Sequence, residues 1–146
     1  MSLRDLRTGK MNNSFLLELP SFEEHDGKLS TFESEMIPGF NVQRMIYIYD
    51  VPEGEERANH ACMNASLIFI AISGSVILSI ECGGIKKEYI LKDKDQAFYV
   101  PPASWIRANN FTEDAVLIGL SDKQYKDCNY ANDYNEYRRL IGDKNV

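Results

Sequence analysis

The sequence predicts an all-β fold built as a sandwich or barrel. Three observations carry this expectation. The apolar and β-branched runs are strand-length, they are punctuated by Gly, Pro, Asn and Asp, and they recur at regular intervals from Ser14 to Leu120. Charged residues make up 26% of the 146 and hydrophobic ones 44%, the balance of an ordinary single globular domain.

The elements follow in order. Phe15 to Leu19 reads as a first strand stopped by Pro20, and Asp26-Gly27-Lys28 reads as a turn before the alternating Leu29 to Glu33. Pro38-Gly39 marks another turn, and Val42 to Tyr49 is rich in β-branched and aromatic residues. Val51 to Glu56 is a polar loop, with Asp50 and Glu53, Glu55 and Glu56 expected to face solvent. His60 to Met63 is a short segment, and Leu67 to Ile72 is continuously apolar up to Ser73-Gly74-Ser75. Val76 to Glu81 and Lys87 to Leu91 flank the hairpin turn Gly83-Gly84. Gln96 to Val100, the Trp105-Ile106-Arg107 segment and Ala115 to Leu120 complete the strands. From Tyr125 to Leu140 the tyrosines at 130, 134 and 137 fall at helical spacing, which predicts short helical turns packed outside the sheets. Residues 1–13 are polar and are read as a leader, or as sequence ahead of an alternative start at Met11; residues 14–146 are read as one domain.

Charge and composition narrow the function classes. A net charge of -6 repels phosphate backbones and argues against nucleic-acid binding. No stretch approaches the roughly 18 apolar residues of a membrane helix. Three cysteines, Cys62, Cys82 and Cys128, form an odd set without paired spacing, which points to a reducing cytoplasm rather than a disulfide framework.

The chemistry is limited by the scarcity of histidine. There are two, His25 and His60, and His25 lies in the charged turn Glu23-Glu24-His25-Asp26. His60 and Cys62 are two residues apart on a strand and therefore project from one face. No histidine follows, so the ligand set of a catalytic metal cannot be assembled, and no metal or cofactor is expected.

Several segments in a fixed order resemble one known family. They are Arg44-Met45-Ile46-Tyr47-Ile48-Tyr49-Asp50, then Arg57-x-x-His60-Ala61, then Ser73-Gly74-Ser75. Tyr99-Val100-Pro101-Pro102-Ala103-Ser104-Trp105, Asn110-Phe111 and the tail with Tyr125, Tyr130 and Tyr134-Asn135-Glu136-Tyr137 continue the series. Together they are similar to the sugar-nucleotide 3,4-ketoisomerases, the WxcM-like cupins that act on dTDP-4-keto-6-deoxyglucose. The resemblance spans Glu18 to Leu140.

That resemblance implies a cupin-type double-stranded β-helix, or jelly roll, with a short C-terminal helical segment. It further implies a metal-free homodimer that binds a dTDP-hexose and serves surface-polysaccharide sugar biosynthesis. The implied reaction removes the proton at C3 of a 4-keto sugar, passes through an enediol and returns a proton at C4. Such chemistry needs a base near neutral pKa and hydrogen-bond donors toward the developing oxyanion. The implied catalytic residues are His60, Cys62 and Tyr47, with Tyr47 as donor or relay. The implied substrate-binding residues are Arg44, Arg57, Trp105, Arg107 and Glu33, the arginines suiting a pyrophosphate.

Family members normally read Arg-Gly-x-His-Ala-His along the central strand, usually followed by Lys. This chain has Ala58 for the Gly, Cys62 for the second His, Met63 for the Lys and Leu67 where Gln is common. Cys62 is then either a proton relay, if Arg57 or Arg107 lies close, or a small buried residue in place of a catalytic group. Two other functions fit the same residues: a nucleotide-sugar-binding cupin without turnover, and a diverged isomerase or epimerase on another nucleotide sugar.

Overall fold

A computed structural model describes residues 13–143; the segment read as a leader lies, but for its last residue, outside them. The described residues form twelve strands and one α-helix. In order these are β1 (Phe15–Glu18), β2 (Ser21–Glu24), β3 (Gly27–Ser30), β4 (Arg44–Tyr49), β5 (Arg57–Cys62) and β6 (Leu67–Ser73). Then come β7 (Val76–Cys82), β8 (Ile85–Leu91), β9 (Gln96–Val100), β10 (Ser104–Asn109), β11 (Val116–Ser121), β12 (Tyr130–Ala131) and α1 (Tyr134–Leu140). Two five-stranded antiparallel sheets, ordered β1-β9-β6-β11-β4 and β12-β5-β10-β7-β8, make up the body, and β2 and β3 form a separate hairpin.

Strand alternation builds the interior between the sheets. Leu67, Phe69 and Ala71 of β6 meet Val76, Leu78 and Ile80 of β7, Ile106 and Ala108 of β10, and Leu117 of β11, all nearly inaccessible. The even residues of β6 point the other way. Ile68 and Ile70 join Ala97 and Tyr99 of β9 beneath Leu19, Ile37 and Phe40, so the outer face of the first sheet is covered as well. Burial on both faces is why β6 is apolar without interruption. On the second sheet, α1 lays Tyr137 over Ala61, Trp105 and Ala131. Tyr137 is fully buried and its hydroxyl donates to the carbonyls of Ala103 and Glu81, at 2.8 and 3.1 Å.

The tail departs from the helical expectation. Residues Tyr125–Asp127 form a 3-10 turn, and Tyr130–Ala131 pair with Cys62 and Ala61 as the edge of the second sheet. The helix begins only at Tyr134, where the Asp133 side chain accepts from the Asn135 backbone N–H. Helical spacing of Tyr130, Tyr134 and Tyr137 is thus coincidental for the first of them. The hydrogen bonds of β5 hold Tyr130 in a strand.

Gly74 closes the β6–β7 turn at φ +63°, and a Cβ there would stand 2.8 Å from the Ala115 Cα. Left-handed strain and a backbone clash then act together. Gly74→Ala is expected to destabilise the fold by about 2 kcal/mol or more, read as a lowered urea midpoint with unchanged slope.

Candidate active site

The site lies between the sheets, where the first ends at β4 and the second at β5 and β12. Arg44, Ile46 and Ile48 of β4 point inward, as the alternating exposure of that strand requires. Ala58, His60 and Cys62 face them from β5, and Tyr130 closes one side. Leu67, Phe69, Ile106, Gly119 and Ser121 complete a mostly apolar cavity of about 150 Å³. A Cβ at Gly119 would approach the Phe69 ring to 3.2 Å, so any side chain there would press on that ring.

A bulge decides which residues of β5 look in. Ile106 pairs with His60, but the next residue, Arg107, pairs with Ala58, and Asn59 is left over. Ala58 and Asn59 both sit in the left-handed region, at φ 71° and 59°. The inserted residue shifts the phase of the strand. Arg57, three residues from His60, therefore shares the cavity lining with it. A regular strand would put them on opposite faces.

The polar groups form a connected set around Arg44. Its Nη2 donates to the Tyr130 hydroxyl at 2.8 Å and to the Cys128 Sγ at 3.8 Å. Tyr130 meets the His60 ring edge-on, with centroids 5.1 Å apart. The Cys62 thiol donates to Asn64 Oδ1 at 3.5 Å. Among the described residues, two buried side-chain nitrogens meet no hydrogen-bond partner in the protein, Arg44 Nε and His60 Nδ1. Buried polar atoms are normally satisfied, so this pair beside one cavity marks where a polar ligand group would be accommodated.

Protonation follows from burial. Burial, with the Arg44 charge adding to it, holds His60 below the usual histidine value, so the imidazole is neutral at pH 7 and free to accept a proton. Burial and the neighbouring Cys128 thiol push Cys62 up to about 11. A thiol that stays protonated is not a general base. Burial also raises the Tyr130 phenol, against the opposing pull of Arg44.

The other residues expected in the site lie elsewhere. Tyr47 is on the outward phase of β4, 58% exposed and stacked on Tyr49 at 5.8 Å. It lines an open groove that shares Ile46, Ile48 and Arg57 with the cavity mouth, but it does not face His60. Trp105 and Arg107 alternate with inward-facing Ile106, so they leave β10 on its outer face. Trp105 packs under α1 against Tyr134 and Tyr137, and Arg107 pairs with Glu56 at 2.6 Å. Arg107 is therefore not the cation beside Cys62; Arg44 is the cationic side chain in that cluster. Glu33 is exposed ahead of the 3-10 turn Ser34–Met36. The residue missed by sequence reasoning is Tyr130. Cys128 and Tyr130 at a spacing of two, just after a turn, are the signal of a short strand that could have identified it.

Comparison with known proteins agrees with this architecture. A family model described as FdtA, WxcM-like, C-terminal, matches residues 12–142. The chain belongs to this family. A TDP-4-oxo-6-deoxy-alpha-D-glucose-3,4-oxoisomerase from Aneurinibacillus thermoaerophilus is 28% identical over 114 residues, covering 78% of this chain and 81% of that one. The TDP-fucose-3,4-ketoisomerase WlaRA of Campylobacter jejuni superposes with a TM-score of 0.81 at 28% identity, covering 92% of this chain and 99% of the other. The TDP-quinovose 3,4-ketoisomerase WlaRB of the same organism gives a TM-score of 0.81 at 26% identity over 88% and 99%. The expected cupin-type jelly roll is the fold of this WxcM-like chain.

Two predictions follow from the site's geometry. Because the folded-state pKa of His60 lies below its unfolded value, the unfolded chain binds more protons as pH falls past about 6.5. The stability that neutral His60 contributes is complete above that pH and is lost as pH drops toward the folded value. His60→Asn is expected to flatten the stability profile over this interval, and NMR titration of the imidazole should give a midpoint below 6.5. Ala58 carries a left-handed penalty that glycine avoids. Ala58→Gly is expected to raise stability by about 0.5–1 kcal/mol in urea denaturation.

Proposed function

We propose that this WxcM-like protein is a 3,4-ketoisomerase of a TDP-4-keto-6-deoxyhexose. The observation that carries the reading is the pair of unpartnered buried atoms, His60 Nδ1 and Arg44 Nε, beside a small enclosed cavity. A neutral imidazole there is a base for the C3 proton, and the Arg44 guanidinium stabilises negative charge on the enediolate oxygens. Low local dielectric strengthens both effects.

The cavity's 150 Å³ is smaller than the roughly 300–1,000 Å³ of pockets that enclose a whole cofactor-sized ligand. It suits the hexose ring alone. Ile46, Ile48 and Phe69 offer apolar surface to a deoxy methyl group. The nucleotide then lies outside, with its pyrophosphate at Arg57, which borders both the cavity and the adjoining groove.

A homodimer accords with the surface of β4. This edge strand exposes Met45, Tyr47 and Tyr49 in a row, an apolar stripe that a second copy would cover. A cytoplasmic location accords with three unpaired cysteines.

In deuterated buffer with dTDP-4-keto-6-deoxyglucose, NMR should show deuterium entering at C3 of the remaining substrate and at C4 of the 3-keto product. His60→Asn should lower that rate by about a hundredfold or more. Retained nucleotide binding with no exchange in the natural chain would instead select a binding protein without turnover. The protonated Cys62 thiol is the one feature that favours that alternative, and Cys62→His tests it. Exchange appearing only in that variant would mean that the natural chain lacks a working base.

A further inference from the structure

We propose that Tyr130 is a catalytic residue of this site and carries the oxygen-bound proton between O4 and O3 of the sugar while His60 moves the carbon-bound one. The assignment rests on the isomerase reading above and adds to it the group that reaction still lacks. Moving a carbonyl to the adjacent carbon relocates two protons, one from C3 to C4 and one from the C3 hydroxyl to O4. One imidazole accounts for the first. The second needs a neutral acid whose conjugate base is tolerated within hydrogen-bonding reach of both oxygens.

The cavity lining leaves one candidate. Arg44 does not give up its proton. The Ser121 hydroxyl donates to the Lys123 carbonyl at 3.0 Å. The Cys62 thiol is committed to Asn64 Oδ1 and makes no hydrogen bond to Arg44 that would stabilise its thiolate. Tyr47, the tyrosine that the sequence offers for this role, faces outward. Tyr130 lines the cavity, its ring edge meets His60 at 5.1 Å, and its oxygen accepts from Arg44 at 2.8 Å. Burial keeps the phenol protonated at rest. The guanidinium beside it stabilises the phenolate when the proton leaves.

The step balances without any other reagent. His60 takes the proton from C3, the C–H electron pair forms the C3=C4 bond, and the carbonyl π pair moves to O4. O4 takes the phenol proton, leaving the Tyr130 phenolate against Arg44. The phenolate then removes the proton of the C3 hydroxyl, whose O–H pair forms the new C3=O bond. The C3=C4 pair takes the proton from His60 at C4. Both side chains return to their starting state, and nothing is oxidised or reduced overall.

Tyr130→Phe in the full chain is the test, with kcat, KM, C3 deuterium exchange and TDP affinity measured together. The expected result is a kcat about a hundredfold lower or more, with KM and TDP affinity within about threefold of the natural chain. Exchange at C3 should outrun isomerisation, because the enediolate held by Arg44 can still be reprotonated where it formed. Fluorinated tyrosine at position 130 keeps the shape and lowers the phenol pKa. It should move the alkaline limb of the kcat profile to lower pH, a shift that no packing role would produce. A Tyr130→Phe protein with kcat within threefold of the natural chain, or an alkaline limb unmoved by fluorination, overturns the assignment while leaving the isomerase reading intact. A natural chain that neither exchanges nor isomerises overturns both.

Discussion

Two consecutive residues in the left-handed region, Ala58 and Asn59, determine which side chains of β5 meet inside the molecule. Side chains alternate along a strand, so one inserted residue inverts every position on one side of it. Without the bulge, Arg57 and His60 would project from opposite faces of β5. With it, the guanidinium at the mouth and the imidazole inside belong to one cavity. Non-glycine residues adopt this conformation at a cost of about 1–3 kcal/mol. The surrounding ladder of β10 on one side and β12 on the other over-determines the strand and holds it there.

The rest of the architecture serves that end of the sandwich. Most of the space between the sheets is filled by Leu, Ile, Val and Phe side chains, which leaves a rigid frame. The filling stops where β4 supplies Arg44 and β12 supplies Tyr130. Cation, phenol, imidazole and thiol are thereby collected around one mostly apolar pocket. Arg44 is the centre of this set. Its charge adds to burial in holding His60 below the usual histidine value and opposes the rise that burial causes at Tyr130. Gly119 against Phe69 and the inward isoleucines of β4 keep the cavity to about 150 Å³.

Strands were readable because their physics is local. Alternation, β-branched content and turn residues marked nearly every one, and the unbroken apolar run of β6 reflected burial on both faces. The candidate site was only partly readable, and the expected residues that lie away from this cavity share a cause. Tyr47, Trp105 and Arg107 have the right chemistry one residue out of phase, and phase depends on which sheet face is covered. Sequence alone does not state that for β4 or β10, whose neighbours come from distant parts of the chain. Glu33 was expected on a strand that in fact ends at Ser30. Tyr130 was hidden for the opposite reason. Its spacing to Tyr134 and Tyr137 satisfies a helix, and a pairing with Cys62 across 68 positions overrides that local signal.

The place of Cys62 can now be argued from its surroundings rather than from the family pattern. A proton moving between adjacent carbons on one face of an enediol needs one base, which first accepts and then donates. A second imidazole beside the first is not required for that transfer, provided another group handles the proton on oxygen. A thiol held near 11 meets neither demand, yet it is small, uncharged and hydrogen-bonded to Asn64, so it neither repels His60 nor competes with it. Under the proposed reaction the proton transfers then fall on the one imidazole and on the phenol that Arg44 holds beside it.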